Sequence, residues 1–293
     1  MKELLKKIHL IEIRIRKAIT SQMQGDFHSV FKGSGLEFED VRAYQYGDDV
    51  RVIDWNVSAK GHGTFVKTFK EEKEQSVFFL LDMSASQEIG SGNKRKLDIG
   101  KEIAGVLALS AVKEGSQIGL IGYSDERELY IKPGKGPNFA YRLITELFRY
   151  VPHSTQTNLS KALVLANTLI KRRSIVIFIS DFIDEGYEQG LKSLAKKHDV
   201  VLIHLHDKKE SELPTLGIVP IVDKESGKTH WVNSSSAEFQ SQIAHYFTDN
   251  TSHLKTLARK INAEYVDIQT QEDYVPKLIK LFTIKNKKGR GGK

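Results

Sequence analysis

The stretch that decides the fold is SVFFLLDMSAS, residues 76–86. Five apolar residues run without a break from Val77 to Leu81 and then stop at Asp82. An uninterrupted apolar run of this length, followed by small polar residues, predicts a strand buried on both faces. Strands of that kind belong to parallel sheets covered by helices. A carboxylate at the end of such a strand, with Ser84 and Ser86 beyond it, has two readings. One is a strand, a turn and a helix cap. The other is a site for a hard metal ion, since two serines one residue apart in an extended loop can aim both hydroxyls at one point.

Outward from this stretch the chain alternates. Residues 94–115 predict a helix stopped by glycine, and SQIGLIGYSD and ERELYIKP two strands forming a hairpin. Two helical segments follow, NFAYRLITELFRYV and NLSKALVLANTLIKRR, the second with a basic end suited to the helix dipole. SIVIFISD is a second fully apolar strand, ending on Asp181. Then come a helix in EQGLKSLAKKH and a strand in DVVLIHLHD. Two short strands flank the turn KESGK, and a long helix over 236–260, a strand in AEYVDIQ and a helix over 271–282 complete the series. The expected architecture is α/β: a doubly wound, mainly parallel sheet with helices on both faces over 76–282. Residues 1–75 are expected to form an N-terminal helix (2–23, apolar at Leu4, Ile8, Ile11, Ile15 and Ile19) and a loop-rich, partly β extension. Residues 283–293 read as a disordered basic tail.

Composition bounds the chemistry. The 293 residues contain no cysteine, which excludes thiolate metal sites, disulfides and cysteine nucleophiles. A metal here must bind through oxygen or histidine. Net charge is +7, but Lys285, Lys287, Lys288, Arg290 and Lys293 supply five of those charges, so the body carries +2. No apolar run approaches the roughly 18 residues of a membrane span, and the charged start does not resemble a signal peptide, so a cytoplasmic protein is expected.

In doubly wound sheets, ligands gather at the carboxyl ends of the strands where strand order reverses. Asp82, Ser84 and Ser86 belong to that edge. So do Asp181, with Asp184 close behind, and Thr155 and Thr157 of HSTQTNLSKAL. Two carboxylates and several hydroxyls form an oxygen-only set suited to Mg²⁺ or Mn²⁺. Taken singly, each has a plain structural role, Ser86 as a cap and Thr157 as the N-cap of the next helix.

Asp-x-Ser-x-Ser, then Thr, then Asp, resembles the metal-ion-dependent adhesion site of von Willebrand factor A domains. The resemblance implies metal ligation by Asp82, Ser84, Ser86, Thr157 and Asp181, directly or through water. Gln87 stands where that family often has methionine. Over a longer span, residues 33–60 (GSGLEFEDVRAYQYGDDVRVIDWNVSAK), SDFID, KHDVV and LGIVPIVDKESGK resemble the domain-of-unknown-function 58 family, with Lys60 where arginine is usual. Many members carry transmembrane helices. Members are typically encoded beside MoxR-type AAA+ ATPases. The resemblance thus implies a non-enzymatic, chaperone-like adaptor that joins such an ATPase to a client protein.

Two other functions compete. A Mg²⁺-dependent phosphohydrolase of the haloacid-dehalogenase type would need an acid at the second position of Asp-x-Asp, where Ser84 stands. Nucleic-acid binding through the basic tail lacks an aromatic-rich basic groove and is not expected. The charged segment with Arg42, Asp48, Asp49, Arg51, Asp54 and Trp55 is expected to be an ion-pair network docking the extension on the sheet. Its rival is a docking face for the ATPase or client, with Arg42, Asp48, Arg51, Asp54 and Trp55 as the candidate interface.

Overall fold

The computed structural model describes residues 33–61, 63–73, 75–91, 94–212, 214–225 and 227–281. The predicted helix over 2–23 and the basic tail over 283–293 lie outside the described residues. The described residues start with an antiparallel ribbon of β1 (Gly33–Ala43) and β2 (Phe65–Lys73), with the short helix α1 (Trp55–Ser58) between them.

The main body is a six-stranded sheet in the order β10-β7-β6-β3-β4-β5. Its strands are β3 (Ser76–Asp82), β4 (Gln117–Tyr123), β5 (Arg127–Gly134), β6 (Ile175–Ser180), β7 (Asp199–His206) and β10 (Glu264–Gln269). All neighbours are parallel except β4 and β5, the expected hairpin at one edge. From β3 the chain winds outward through β4 and β5. It then crosses to the other side of β3 and continues through β6, β7 and β10. The order therefore reverses between β3 and β6, which makes the sheet doubly wound, as expected for a von Willebrand factor A-like fold.

Alternation along β3 divides the core in two. Val77, Phe79 and Leu81 pack with α2 (Lys96–Lys113), α3 (Pro137–Arg149) and residues 275–281, here α8. Phe78 and Leu80 pack with α4 (Leu159–Leu169), α5 (Glu188–Lys197) and α7 (Ala237–Lys260). Each fully buried Leu, Ile or Phe side chain contributes about 1.5–3 kcal/mol, enough in sum to offset several buried charges. Gly100 lets α2 approach the sheet: a Cβ there would stand 2.9 Å from Leu81 and 3.4 Å from Leu205. Gly115, at φ +77°, ends that helix in the left-handed conformation.

Two local expectations change. The helix in NLSKALVLANTLIKRR ends at Leu169, so Lys171, Arg172 and Arg173 do not sit in its last turn. Ile170, 2% exposed, leaves the helix in an extended conformation to feed β6, and Arg173 instead pairs with Asp199 at 2.9 Å. The loop after β3 is not extended, because Ala85–Glu88 form a 3-10 turn. A separate hairpin, β8 (Ile218–Val222) with β9 (Thr229–Asn233), stands apart from the large sheet after the short helix α6 (Lys208–Ser211).

Candidate metal centre

Asp82 closes β3 and Asp181 follows β6, so the two carboxylates flank the point where strand order reverses. Both are about 1% exposed. Ser84 donates its hydroxyl to Asp82 Oδ1 at 2.7 Å and its N–H to the same oxygen at 3.0 Å. Ser84 Oγ lies 3.0 Å from Ser86 Oγ, and the nearby Ser86 hydroxyl helps hold the Asp181 carboxyl down. The 3-10 turn thus achieves what an extended loop was expected to do. It folds Ser86 back so that its hydroxyl meets that of Ser84 beside Asp82. Neither serine caps a helix with its side chain.

The rest of the shell comes from residues that sequence reasoning did not select. Ser180 donates to Asp82 Oδ2 at 2.7 Å and accepts from the Phe182 N–H at 3.0 Å. Gln87 Nε2 approaches Asp82 Oδ2 at 3.4 Å and Ser86 Oγ at 3.3 Å. Phe182 has φ +54°, a left-handed conformation that costs a bulky residue roughly 1–3 kcal/mol. Its fully buried ring packs on Phe178 with centroids 4.9 Å apart, which holds the turn after Asp181 in place.

Lys96 is the largest addition. Its fully buried ammonium donates to Asp181 Oδ2 at 2.7 Å and to Glu210 Oε1 at 2.5 Å. Burial alone would push this ammonium down, but Asp181 and Glu210 hold it above its usual range. Burial would likewise raise Asp181, yet the Lys96 charge and hydrogen bond keep it below the ordinary carboxylate range. Asp82 lacks such a partner. Burial first, and the Asp181 charge second, push its carboxyl up to about 7. Burial also raises Glu210 despite Lys96.

Among the described residues no three His, Cys, Asp or Glu side chains gather as a metal cluster, so the set to be weighed is two carboxylates with hydroxyls. When ionised, Asp82, Asp181 and Glu210 against one ammonium leave two negative charges unbalanced. Mg²⁺ and Mn²⁺ take carboxylate and hydroxyl oxygens of this kind. The fully buried Tyr123 hydroxyl, next to Asp82 and Ser180, has no hydrogen-bond partner.

Thr157 is positioned differently. Asn158, not Thr157, is the N-cap of α4, accepting from Lys161 N–H at 2.8 Å. Asp184 accepts from Leu159 N–H at 2.7 Å and so also serves the start of that helix. The Thr157 hydroxyl is left to donate to Glu225 of the β8–β9 turn, at 2.5 Å. The threonine loop is joined to the serine turn through its backbone, Ala85 N–H to Thr155 C=O at 3.0 Å.

The candidate interface residues form a separate set. Arg42 grips Asp48 with two bonds of 2.8 and 2.7 Å. Arg51 pairs with Asp49 at 2.8 Å. Asp54 caps α1, accepting from Asn56 and Val57 N–H, and lies 3.7 Å from Lys67. Trp55 is 69% exposed. Among the described residues, these pairs close within 42–67. The expectation that they dock the extension on the large sheet is therefore corrected: partners two to thirteen residues away reach one another first, and among the described residues none of these pairs reaches that sheet.

Residues 40–253 match the family described as "Protein of unknown function DUF58". An uncharacterized protein of Mycobacterium tuberculosis, Rv1480, is 22% identical over 285 residues, covering 96% of this chain and 89% of that protein. Mb1516 of Mycobacterium bovis, also uncharacterized, gives the same values. Among solved structures, an aerotolerance-related membrane protein from Bacteroides fragilis aligns with a TM-score of 0.50 at 15% identity, over 73% of this chain and 99% of that one. This last likeness concerns the fold alone. Among the described residues, no helix is long and apolar enough to cross a membrane.

Proposed function

The chain belongs to the DUF58 family, and from that premise we propose that it is a non-enzymatic, metal-ion-dependent protein-interaction module. The observation that carries this reading is the buried oxygen cluster at the switch point, with two charges that Lys96 does not balance. Asp82, Ser84, Ser86 and Thr157, with Asp181, would hold Mg²⁺ or Mn²⁺. The bound ion would supply an open electrophilic position for a carboxylate on a partner. The protein's own residues prepare that position. Ser180, Ser84 and Gln87 fix the orientation of Asp82, and Lys96 fixes Asp181. Phe182 and the apolar layers beneath keep water away from the inner side of the cluster.

In this reading the chain is a chaperone-like adaptor that joins a MoxR-type AAA+ ATPase to a client protein. The test is capture of a purified MoxR-type ATPase, with Mg²⁺ or with excess EDTA, by the wild type and by Asp82→Ala. Capture should require the divalent ion and should drop at least tenfold in the variant. Capture undiminished in EDTA sinks the reading.

A further inference from the structure

The loop that carries Thr155 and Thr157 is held from outside by a segment about 70 residues further along the chain. Thr157 Oγ1 donates to Glu225 Oε1 at 2.5 Å, and Thr155 Oγ1 donates to the Glu225 carbonyl at 3.3 Å. The β8–β9 turn is shaped for this contact. Asp223 Oδ1 accepts from Glu225 N–H at 3.1 Å. The backbone closes through Gly227 N–H to Asp223 C=O and Asp223 N–H to Lys228 C=O, both 2.9 Å. Val222, Asp223 and Lys224 are exposed, whereas Glu225 turns inward and is half-buried.

A hydroxyl carries one hydrogen and two lone pairs. With its hydrogen committed to Glu225, Thr157 keeps its lone pairs for a cation. A cation there would polarise the O–H and strengthen its bond to the carboxylate. Charge balance then restricts the site. A divalent ion neutralises the two unbalanced charges of Asp82, Asp181, Glu210 and Lys96. Glu225 adds one more negative charge, and an incoming acid would add another. Two extra carboxylates at one ion repel each other, so Glu225 and an incoming acid compete.

We propose that Glu225 is a further residue of the divalent-cation site, an internal carboxylate that the β8–β9 hairpin sets against Thr157 and that a partner's acid must displace. This rests on the adhesion-type reading of the site.

The experiment uses the full chain and Mn²⁺ as the probe, with affinity read by titration calorimetry and exchange of residues 216–233 read by hydrogen–deuterium mass spectrometry. Wild type, Glu225→Gln, Asp82→Ala and Asp82→Asn are compared; the last retains acceptor capacity for Ser84 and Ser180. The expected result is that Mn²⁺ binds the wild type and slows exchange across 216–233. Glu225→Gln should bind it roughly tenfold more weakly, the scale on which residues supporting metal ligands act, and should lose the protection. If both Asp82 variants abolish binding while Glu225→Gln matches the wild type in affinity and protection, the site stands and the role of Glu225 is overturned. If Mn²⁺ fails to bind the wild type, or binds the Asp82 variants equally, the site reading falls and the Glu225 assignment falls with it.

Discussion

Two regions of this molecule use the same ionic residues to opposite ends. At the carboxyl edge of the sheet, Lys96 and Asp181 have side chains 0% and 2% exposed, and the pair joins residues 85 positions apart. In the segment before β2, Arg51 and Asp49 are 86% and 46% exposed and two positions apart. A local pair can form before the chain folds, and water and salt screen it afterwards. A distant buried pair exists only once the whole sheet is wound. Its charges cost heavily to desolvate, so each must be matched. The buried set therefore reports the site, while the exposed set leaves its charges open to a partner.

The sharpest way to break this contrast is Lys96→Met. The substitution keeps the aliphatic volume and removes the ammonium, which strands Asp181 and Glu210. Removing one partner of a buried pair costs about 3–5 kcal/mol, and that loss is expected in urea unfolding with EDTA present. A loss below about 1 kcal/mol, the size typical of exposed pairs, would mean the cluster is hydrated and the two regions are alike.

A half-buried cluster lies between these extremes. On β7 and β10, Asp267 meets His204 Nδ1 and His206 Nε2, each at 3.1 Å, and its side chain is 32% exposed. Burial would raise the Asp267 carboxyl, but hydrogen bonds from both histidines hold it well below the usual range. A depressed carboxylate contributes stability in full above its unfolded value of about 3.9 and loses it as the pH falls below that. Asp267→Asn should cost about 1–2 kcal/mol near neutral pH. It should also flatten the fall in stability below about pH 4, as read from urea midpoints across pH. An unchanged acid slope would place Asp267 with the exposed pairs.

The same contrast explains what could be read from the sequence. Runs such as Val77–Leu81 and Ile175–Ile179 announce buried parallel strands, and a carboxylate just beyond each run announces the edge. Asp82 and Asp181 were legible because strand ends are set by local pattern. Lys96 was not, because KRKLD reads as an ordinary cationic helix start. Only the fold brings it to Glu210, 114 positions away. Glu225 was hidden for the same reason, since a turn residue gives no sign that it meets a loop 68 positions earlier. Ser180, directly before Asp181 in ISD, and Gln87, directly after Ser86, were the missed residues with a local clue. The β4–β5 hairpin was inferred from order; side-chain pairing across the sheet depends on packing that no period encodes. The docking expected of Arg42 and Asp48 failed in the other direction: a dense run of opposite charges satisfies itself.

The smallest expected effect on stability comes from Arg51→Glu. Arg51 projects into water, and Val50 and Trp55 beside it are 62% and 69% exposed. Reversing its charge loses a screened local bond to Asp49 and removes no buried partner. The urea midpoint and the far-ultraviolet circular dichroism should both match the wild type. If this face meets the ATPase, the reversal acts on encounter instead. Association should slow, and the slowing should shrink as salt is raised, because a rim charge works through long-range steering. Stopped-flow association at two ionic strengths separates the cases. Slower, salt-sensitive association at an unchanged midpoint makes the segment an interface. A lowered midpoint would show that these exposed pairs hold the fold after all, and the division between a buried site and a free charged face would fail at Arg51.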